Sequence, residues 1–567
     1  MPNLKATPPI ISTPKKFTEA LGLTAILGIG LFLRLVNYFE IKANDPYFSN
    51  LTVDPKLYHE WALRINAGDW LGSGTFNLSP LYPYVLAVVY KIFGSGFEVG
   101  HILNVVLGTI SVGLIWLLAR TVFGWRQALV AAFFAATYPM FIYVGCDLAL
   151  ENIQIPLNAL LLIVLWHGLQ HGRFWLLALA GLLLALSTLA RPNVLAFAPF
   201  ALGCIALARM DDATWRSILY RCSAFSLGLV VGLAPCTARN WFVADDLILV
   251  TDSGGINFYI GNNAEANGYF NVPNWITAPQ FGNPNAMHEF ATNYAQEKVG
   301  HQLKASEVSK YWNGMAWNWI AQNPWQATQL LAKKSWLLFS SNEVGVMRQL
   351  VLDQEFSSVL RLPLPGFSVV IPLGLIGIAI SIRQWRRFVV LNAFLCSQIF
   401  VLVLFFISDR HRLPMGPAII AFAGFATIWL FDCARNRRWI LFMLGAATAL
   451  LLFFGTLRPN DSTVTSSNFF NLGNKLRDQG RLEEACAQYQ LAIQMRPQDI
   501  SAHNNLALLM ERGQQSPEAI ITEWEIVLQL AKATKDAVRI ERAQRHLLQL
   551  RGHDARIPVM NPADSAP

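Results

Sequence analysis

The sequence predicts a mainly α-helical, polytopic membrane protein that ends in a small soluble helical domain. Three observations carry this expectation. Of 567 residues, 54% are hydrophobic and only 14% are charged, and the mean hydropathy is +0.36, so much of the apolar surface must face lipid rather than a soluble core. Apolar runs able to cross a bilayer recur along the chain, about eleven by the length criterion. Beyond the last of them polarity rises abruptly at RPNDSTVTSS, and residues 466–551 read as soluble helices.

Residues 1–16 form a basic tail. The first run, 17–39, follows it as a signal peptide would, but it is long and continues into LVNYFEIKAND without a small-x-small cleavage site, so it is expected to stay as an anchor. Further runs lie near 99–119, 126–145, 148–166, 174–190, 193–209, 222–243, 366–382, 388–407, 413–432 and 439–457. The runs 81–93 and 328–340 are apolar but too short to span, and are expected at the interface or as re-entrant segments.

Lys5, Lys15 and Lys16 precede the first span. Arg120 and Arg126, Arg173, then Arg209, Arg216 and Arg221, then Arg383, Arg386 and Arg387, and finally Arg435, Arg437 and Arg438 fill alternate loops. Short cytoplasmic loops hold such an excess. The N-terminal tail is therefore expected inside a plasma (inner) membrane, with the first loop 40–97, the long segment 244–365 and the C-terminal tail on the periplasmic side. The same asymmetry accounts for the net charge of +8 and leaves no role for nucleic acid. The seven cysteines lie mostly within spans and form no CxxC pair, which argues against a zinc site or a disulfide framework.

A membrane domain over 17–457 is followed by a linker, 458–465, a helical domain, 466–551, and a disordered tail, 552–567. In FFNLGNKLRDQGRLEEACAQYQLAIQMRPQD, Phe469, Leu472, Gly473, Leu476, Ala485, Tyr489, Ala492 and Pro497 fill the positions of a tetratricopeptide (TPR) repeat. A second, poorer unit has Leu506, Ala507 and Ala519 in phase, and 533–551 reads as a closing helix. Two repeats are fewer than the roughly three that stand alone. The module is thus expected to lean on the membrane domain or on a protein partner; the alternative is a cap without a ligand.

Five arginines break the positive-inside trend: Arg34 near the outer end of the first span, Arg191 in ALARPNVL, Arg239 in PCTARNWF, and Arg410 with Arg412 in SDRHRLPMGP. Topology sends all five to one membrane face. Charges there usually face a cavity or a ligand, and guanidinium groups suit phosphate oxygens through paired bonds. For any single one, snorkelling to the interface is the alternative. Lys333 and Lys334, in LLAKKSWLLF, add charge to the same surface or meet lipid headgroups.

Asp54, in LTVDPKLYHEWALRINAGDW, supplies a carboxylate able to take a proton from a hydroxyl nucleophile, which then attacks the anomeric carbon of a phosphate-linked sugar with inversion. Secondary acidic candidates are Asp147 and Glu151 in CDLALENIQIP and Glu343 in FSSNEVG. Lys56, Tyr58, Tyr82, Asn257, Tyr259, Asn262 and Asn263 are candidates for contacting the sugar or the acceptor. Their amides and phenols suit sugar hydroxyls, although Gly- and Asn-rich stretches suit turns equally well. His59, His101, His288, His301 and His411 are scattered, so no metal site is assigned and no cofactor is expected.

Taken in order, VDPKLYHEWALRINAGDW with SPLYPYVLA, ATYPMFIYVGCDLALEN, LARPN, TARNWFV with SGGINFYIGNN, and DRHRLPMGP resemble the GT-C superfamily of membrane glycosyltransferases over residues 17–457. The nearest likeness is to the family 39 group of protein O-mannosyltransferases and lipid A aminoarabinose transferases. The resemblance implies GT-C architecture, Asp54 as catalytic base, and a polyprenyl-phosphate sugar as donor on the outer face, passed to a protein, lipid or glycan. It also places the run 81–93 in a periplasmic helical layer. The chain departs from the mannosyltransferase pattern at the catalytic loop, where paired acids are usual and Asp54 is followed by Pro55 and Lys56, so the acceptor class does not carry over. Two rivals remain. One is a ligase or polymerase of lipid-linked oligosaccharide, distinguished by a pyrophosphate donor; the other is a transporter or flippase with a repeat module for assembly, against which the lack of internal duplication counts.

Overall fold

The computed structural model describes residues 16–48, 51, 53–207, 214–273, 275–276, 286–341, 350–457, 466–513, 515–534 and 536–551. Among them no strand forms, and one isolated bridge pairs Tyr269 with Ile407. The helices run α1 (Lys16–Asn44), α2 (Val53–Asn66), α3 (Leu81–Phe93), α4 (Phe97–Val122), α5 (Trp125–Thr137), α6 (Pro139–Val144), α7 (Glu151–His171), α8 (Phe174–Ala190), α9 (Phe197–Leu207) and α10 (Trp215–Ala244). Next come α11 (Gly254–Gly261), α12 (Ala286–Val299), α13 (Ala305–Gln322), α14 (Pro324–Leu337), α15 (Leu350–Asp353) and α16 (Ser358–Arg361). Then follow α17 (Phe367–Ser381), α18 (Trp385–Leu404), α19 (Asp409–Arg412), α20 (Gly416–Arg435) and α21 (Trp439–Thr456). The C-terminal helices are α22 (Ser466–Asp478), α23 (Leu482–Met495), α24 (Ile500–Arg512), α25 (Pro517–Thr534) and α26 (Ala537–Leu550).

All eleven apolar runs are helical over most of their length. Among the described residues, seven helical stretches are long and apolar enough to cross a membrane: Phe17–Asn44, Phe97–Val122, Glu151–His171, Trp215–Ala244, Phe367–Leu404, Asp409–Arg435 and Trp439–Thr456. The difference from eleven has local causes. Pro139 forces the preceding Tyr138 to extended backbone (ψ 116°), so α5 stops at Thr137 and α6 starts anew. Phe174–Ala190 and Pro192–Leu207 are apolar but shorter. Phe367–Leu404 carries two expected spans through the tight turn Ile382–Gln384. The short run 81–93 coincides with α3, which buries Tyr82, Leu86, Ala87 and Tyr90 while Val88, Ile92 and Phe93 are exposed. The run 328–340 begins earlier, as α14.

The chain divides into two compact units, one of residues Met1–Asn44 and Leu51–Asp461, the other of Asp45–Asn50 and Ser462–Pro567. In the first, glycines let helix backbones touch, as small residues do between membrane helices. A Cβ at Gly181 would strike the Phe225 carbonyl and one at Gly228 the Ala178 carbonyl, so α8 and α10 meet along this seam. Gly377 against Phe422, and Gly424 against Gln127, join α17 and α5 to α20 in the same way. The segment between α10 and α17 builds its own core around Trp312, whose Nε1 donates to Ala291 O at 3.0 Å and whose ring stacks on Trp275 at 6.1 Å.

In the second unit, α22–α23 and α24–α25 are two antiparallel pairs and α26 follows. Gly473 lies under the Tyr489 ring, and Leu472, Leu476, Ala485, Tyr489 and Ala492 are buried, as the repeat pattern requires. Trp524 is fully buried, stacked on His546 at 4.4 Å, with Nε1 donating to Glu511 at 2.7 Å.

Gly228→Leu is expected to force α8 and α10 apart and destabilise the membrane unit by at least about 1–3 kcal/mol. A lower midpoint in a thermal melt of detergent-solubilised protein, followed by size-exclusion fluorescence, checks it.

Candidate active site

Asp54 lies in the first turn of α2, where the unpaired amides favour a carboxylate and where Pro55 loses no hydrogen bond. Its Oδ2 accepts from Arg410 Nη1 at 2.8 Å, with the acid 14% and the guanidinium 27% exposed. Arg410 belongs to α19, a single turn capped by Ser408, whose Oγ accepts from His411 N. A second pair stands beside this one. Glu151, in the first turn of α7, is bonded to Arg191, where α8 ends and the backbone turns extended (φ −155°); both side chains are buried.

Tyr58 joins the two pairs. It lies one helical turn beyond Asp54, is 2% exposed, and its phenol interacts with the charges of Asp54, Arg410, Glu151 and Arg191. Burial, reinforced by the Asp54 charge, holds that phenol well above the ordinary range near 10, so it stays protonated. Tyr82 packs edge-on against Tyr58 at 5.4 Å and accepts from Asn104 Nδ2 at 2.7 Å. Asp409 and His411 add a buried acid and a ring to the cluster, interacting with Glu151 and with Arg191 respectively.

The pairs leave donors over. Arg191 keeps Nε and Nη1, and Arg410 keeps Nε, buried without a hydrogen-bond partner, as does the whole amide of Gln154 one turn along α7 from Glu151. Buried polar atoms are rarely unmatched, and a missing ligand or ion is one of the few reasons. Guanidinium edges facing a carboxylate on one side and nothing on the other suit a phosphate.

The other candidates fall elsewhere. Arg34 is wholly buried and donates to Gly30 O at 2.9 Å and to Ala136 O at 3.3 Å, so the last carbonyls of α5 hold it. Arg239 binds Leu71 O at 2.7 Å through Nε and Gly74 O at 2.5 Å through Nη1, and lies 3.9 Å over the Phe76 ring; it ties down the first loop. Arg412 donates to Ser340 O at 2.6 Å and stacks 4.0 Å from the Phe367 ring. Of the five arginines expected on one membrane face as phosphate ligands, two stand in the charge cluster and three bond to backbone carbonyls.

Asp147 turns its Oδ1 onto Leu148 N at 2.8 Å in a tight turn. Asn262 and Asn263 are buried, with side chains bonded to the carbonyls of Phe258, Leu404, Tyr259 and Ile260. Tyr259 lies in the aromatic core, and Asn257 is part-buried on α11. Lys56 is half-exposed, 3.8 Å from Glu60. Lys333 is exposed, whereas Lys334 is enclosed. Glu343 lies outside the described residues.

Among the described residues, no group of three or more His, Cys, Asp and Glu gathers to hold a metal ion. Sequence reading passed over Gln154, Asp409 and His411. The signal for the first was a polar stripe, Glu151, Gln154 and Asn158, at helical spacing inside an apolar run.

Residues 77–239, which hold Tyr82, Glu151, Arg191 and Arg239, match the family model described as dolichyl-phosphate-mannose-protein mannosyltransferase. The chain carries a glycosyltransferase-family domain. Residues 473–513 match the TPR repeat model. No curated protein matches the sequence. Among solved structures, similar chains include the archaeal oligosaccharyltransferase AglB from Archaeoglobus fulgidus, in complex with an inhibitory peptide and a dolichol-phosphate. That similarity has 14% identity, a TM-score of 0.43, and covers 83% of this chain and 59% of that one. A second is ArnT from Cupriavidus metallidurans bound to undecaprenyl phosphate, at 14% identity and a TM-score of 0.35, covering 74% of this chain and 80% of that one. The chain thus spans 59% of the length of the oligosaccharyltransferase.

Arg239→Ala removes the bonds that hold the loop Leu71–Phe76, so limited proteolysis of reconstituted protein is expected to cut there sooner. Arg191→Lys should leave that loop as protected as in the wild type, and mass mapping of the fragments separates the two.

Proposed function

We propose that this protein transfers a sugar from a polyprenyl-phosphate carrier to a hydroxyl acceptor on a protein, lipid or glycan at the outer face of the inner membrane. The observation that carries the proposal is the pair of half-used guanidiniums, buried Arg191 and part-buried Arg410, beside the part-buried carboxylate of Asp54. The glycosyltransferase-family match over 77–239 supports the same class. Face and orientation rest on the alternation of basic loops, with the N-terminal tail inside and the 40–97 and 244–365 segments outside.

In the proposed reaction the acceptor oxygen attacks the anomeric carbon, the bond from that carbon to the phosphate oxygen breaks with its electron pair, and the acceptor proton passes to Asp54. The configuration inverts. The leaving polyprenyl phosphate gains one negative charge, which the free edges of Arg191 and Arg410 are placed to meet. Asp54 is linked to Arg410 in the resting site, so protonating it weakens its hold on that guanidinium as the phosphate charge grows. Tyr58, protonated, offers a hydroxyl to either carboxylate or to the sugar.

No divalent metal enters this reading, since a guanidinium already stands against the catalytic carboxylate. The TPR module is assigned to a protein partner or acceptor.

Transfer from a labelled undecaprenyl-phosphate sugar panel, measured in proteoliposomes, tests the reading. Asp54→Asn is expected to lower kcat by about 100- to 10,000-fold, the share of a general base. Arg191→Lys should lower it by about 100-fold, the share of one charge-stabilising donor. Wild-type rates in either variant would remove that residue from its role, and transfer only from pyrophosphate-linked donors would favour the ligase alternative. Chelation with EDTA is expected to leave the wild-type rate unchanged; a loss restored by added Mg²⁺ or Mn²⁺ would overturn the metal-free mechanism.

A further inference from the structure

Besides Arg34, which carbonyls of α1 and α5 hold, Lys334 is a charged side chain outside the acid–arginine cluster that has no exposed surface. It lies on the face of α14, with Ala327, Leu330 and Leu337, that turns inward, while Lys333 and Trp336 turn out. Among the described residues no carboxylate pairs with it. Its Nζ donates to Asn262 Oδ1 at 3.0 Å and reaches Leu404 O at 3.4 Å, and Asn262 Nδ2 donates to the same Leu404 oxygen at 2.9 Å. This triangle closes three elements on one another: the end of α11, the last turns of α14 and the end of α18.

The Leu404 carbonyl is one of the four that a helix leaves without an internal partner at its C-terminus. Beyond it the chain is fixed at each step. Gly261 abuts Phe405 so closely that a Cβ would strike its carbonyl, Ile407 N donates to Gly268 O at 2.9 Å, and Ser408 caps α19. Arg410 then meets Asp54. The far end of α14 is tied to the same region, because Arg412 Nη1 donates to Leu338 O and Ser340 O.

We propose that Lys334 is a positioning residue for the transfer site, a neutral amine that anchors the 404–408 segment and so sets Arg410 against Asp54. The bonding fits that form: the two N–H groups of an amine match the two acceptors, whereas an ammonium brings a third N–H that none of these contacts satisfies. Burial pulls the group down to about 7, against 10.5 for an ordinary lysine. The groups facing Nζ from α11 and α18 are neutral acceptors; Lys333 on its own helix points away, and Arg412 donates to the carbonyls beyond the helix end. Below about pH 7 the amine takes a proton that none of these contacts neutralises, so the anchor is expected to loosen on the acid side.

The inference rests on the transfer reading, and two readouts keep the two apart. In full-length protein in nanodiscs, Lys334→Met is expected to lower kcat by about ten- to a hundredfold, the scale of a misplaced catalytic group, with donor KM and melting temperature little changed. The wild-type kcat should fall as pH drops through about 7, and the variant should show no such limb. Asn262→Ala should act in the same direction, and the double variant should be no worse than Lys334→Met, as for residues that act as one unit. Wild-type kcat in Lys334→Met, an unchanged acid limb, or losses that multiply would each overturn the proposal. If Lys334→Met does not yield monodisperse protein, Asn262→Ala carries the same test. Hydrogen exchange over residues 404–412 reads the anchor without turnover. Faster exchange in the variant, alongside a wild type that transfers from no donor, would keep the anchor and remove the transfer reading; equal exchange would remove the anchor.

Discussion

Two carboxylate–guanidinium pairs, Asp54 with Arg410 and Glu151 with Arg191, fasten together parts of the chain that lie 356 and 40 residues apart. They join the first loop to the turn before α20, and the start of α7 to the end of α8. A buried pair adds little net stability over an apolar contact, but losing one partner leaves an uncompensated charge that costs about 3–5 kcal/mol. Each element is therefore held to a register in which its charge finds the opposite one. Tyr58, enclosed among all four charges, occupies the space that water would otherwise use to screen them.

The kind of partner separates the five arginines into two sets. Arg34, Arg239 and Arg412 are held by backbone carbonyls, which are neutral and do not titrate, and they fasten α5, the first loop and the end of α14; Arg34, too, keeps an unmatched Nε. Arg191 and Arg410 face carboxylates and keep unmatched N–H groups. A carbonyl-bound guanidinium has nothing to gain from protonation of a neighbour. One bound to a carboxylate is released when that carboxylate takes a proton, and only such an arginine can respond during a reaction that moves a proton to Asp54.

Much of the fold was legible from hydropathy, because every apolar run had to become a helix for its backbone to be satisfied in lipid. The repeat module was legible for a different reason: Gly473 beneath Tyr489 and the small Ala485 and Ala492 are demanded by close helix packing. The site was only half legible. Asp54 stood out as an acid in the loop after the first apolar run, but the alternation of basic loops assigns a face and not a neighbour, so five arginines expected on one face looked alike. The difference between Arg191 and Arg239 lies in contacts across 40 and 168 residues of sequence, which no local pattern encodes. The GINFYIGNN stretch misled for the same reason, since amides suited to sugar hydroxyls are equally suited to the carbonyls of Leu404 and Tyr259.

In the proposed transfer, the placement of the two pairs also orders the events. A polyprenyl-phosphate sugar is a diester with one negative charge, and the free edges of Arg191 and Arg410 can hold it while both carboxylates remain paired. At that stage the site gains one negative charge in a buried setting, so the acceptor proton must leave its oxygen without adding another. Asp54 accepts it and becomes neutral, while the phosphate acquires the charge that the carboxylate has lost. The sum is unchanged, and the guanidinium of Arg410 need only shift its weight from one oxygen to another. A base without a cation bonded to it would gain no such balance. In the proposed reaction it is the direct bond between Asp54 and Arg410, rather than the acid or the arginine alone, that suits this part of the chain to cleaving a sugar from a phosphate.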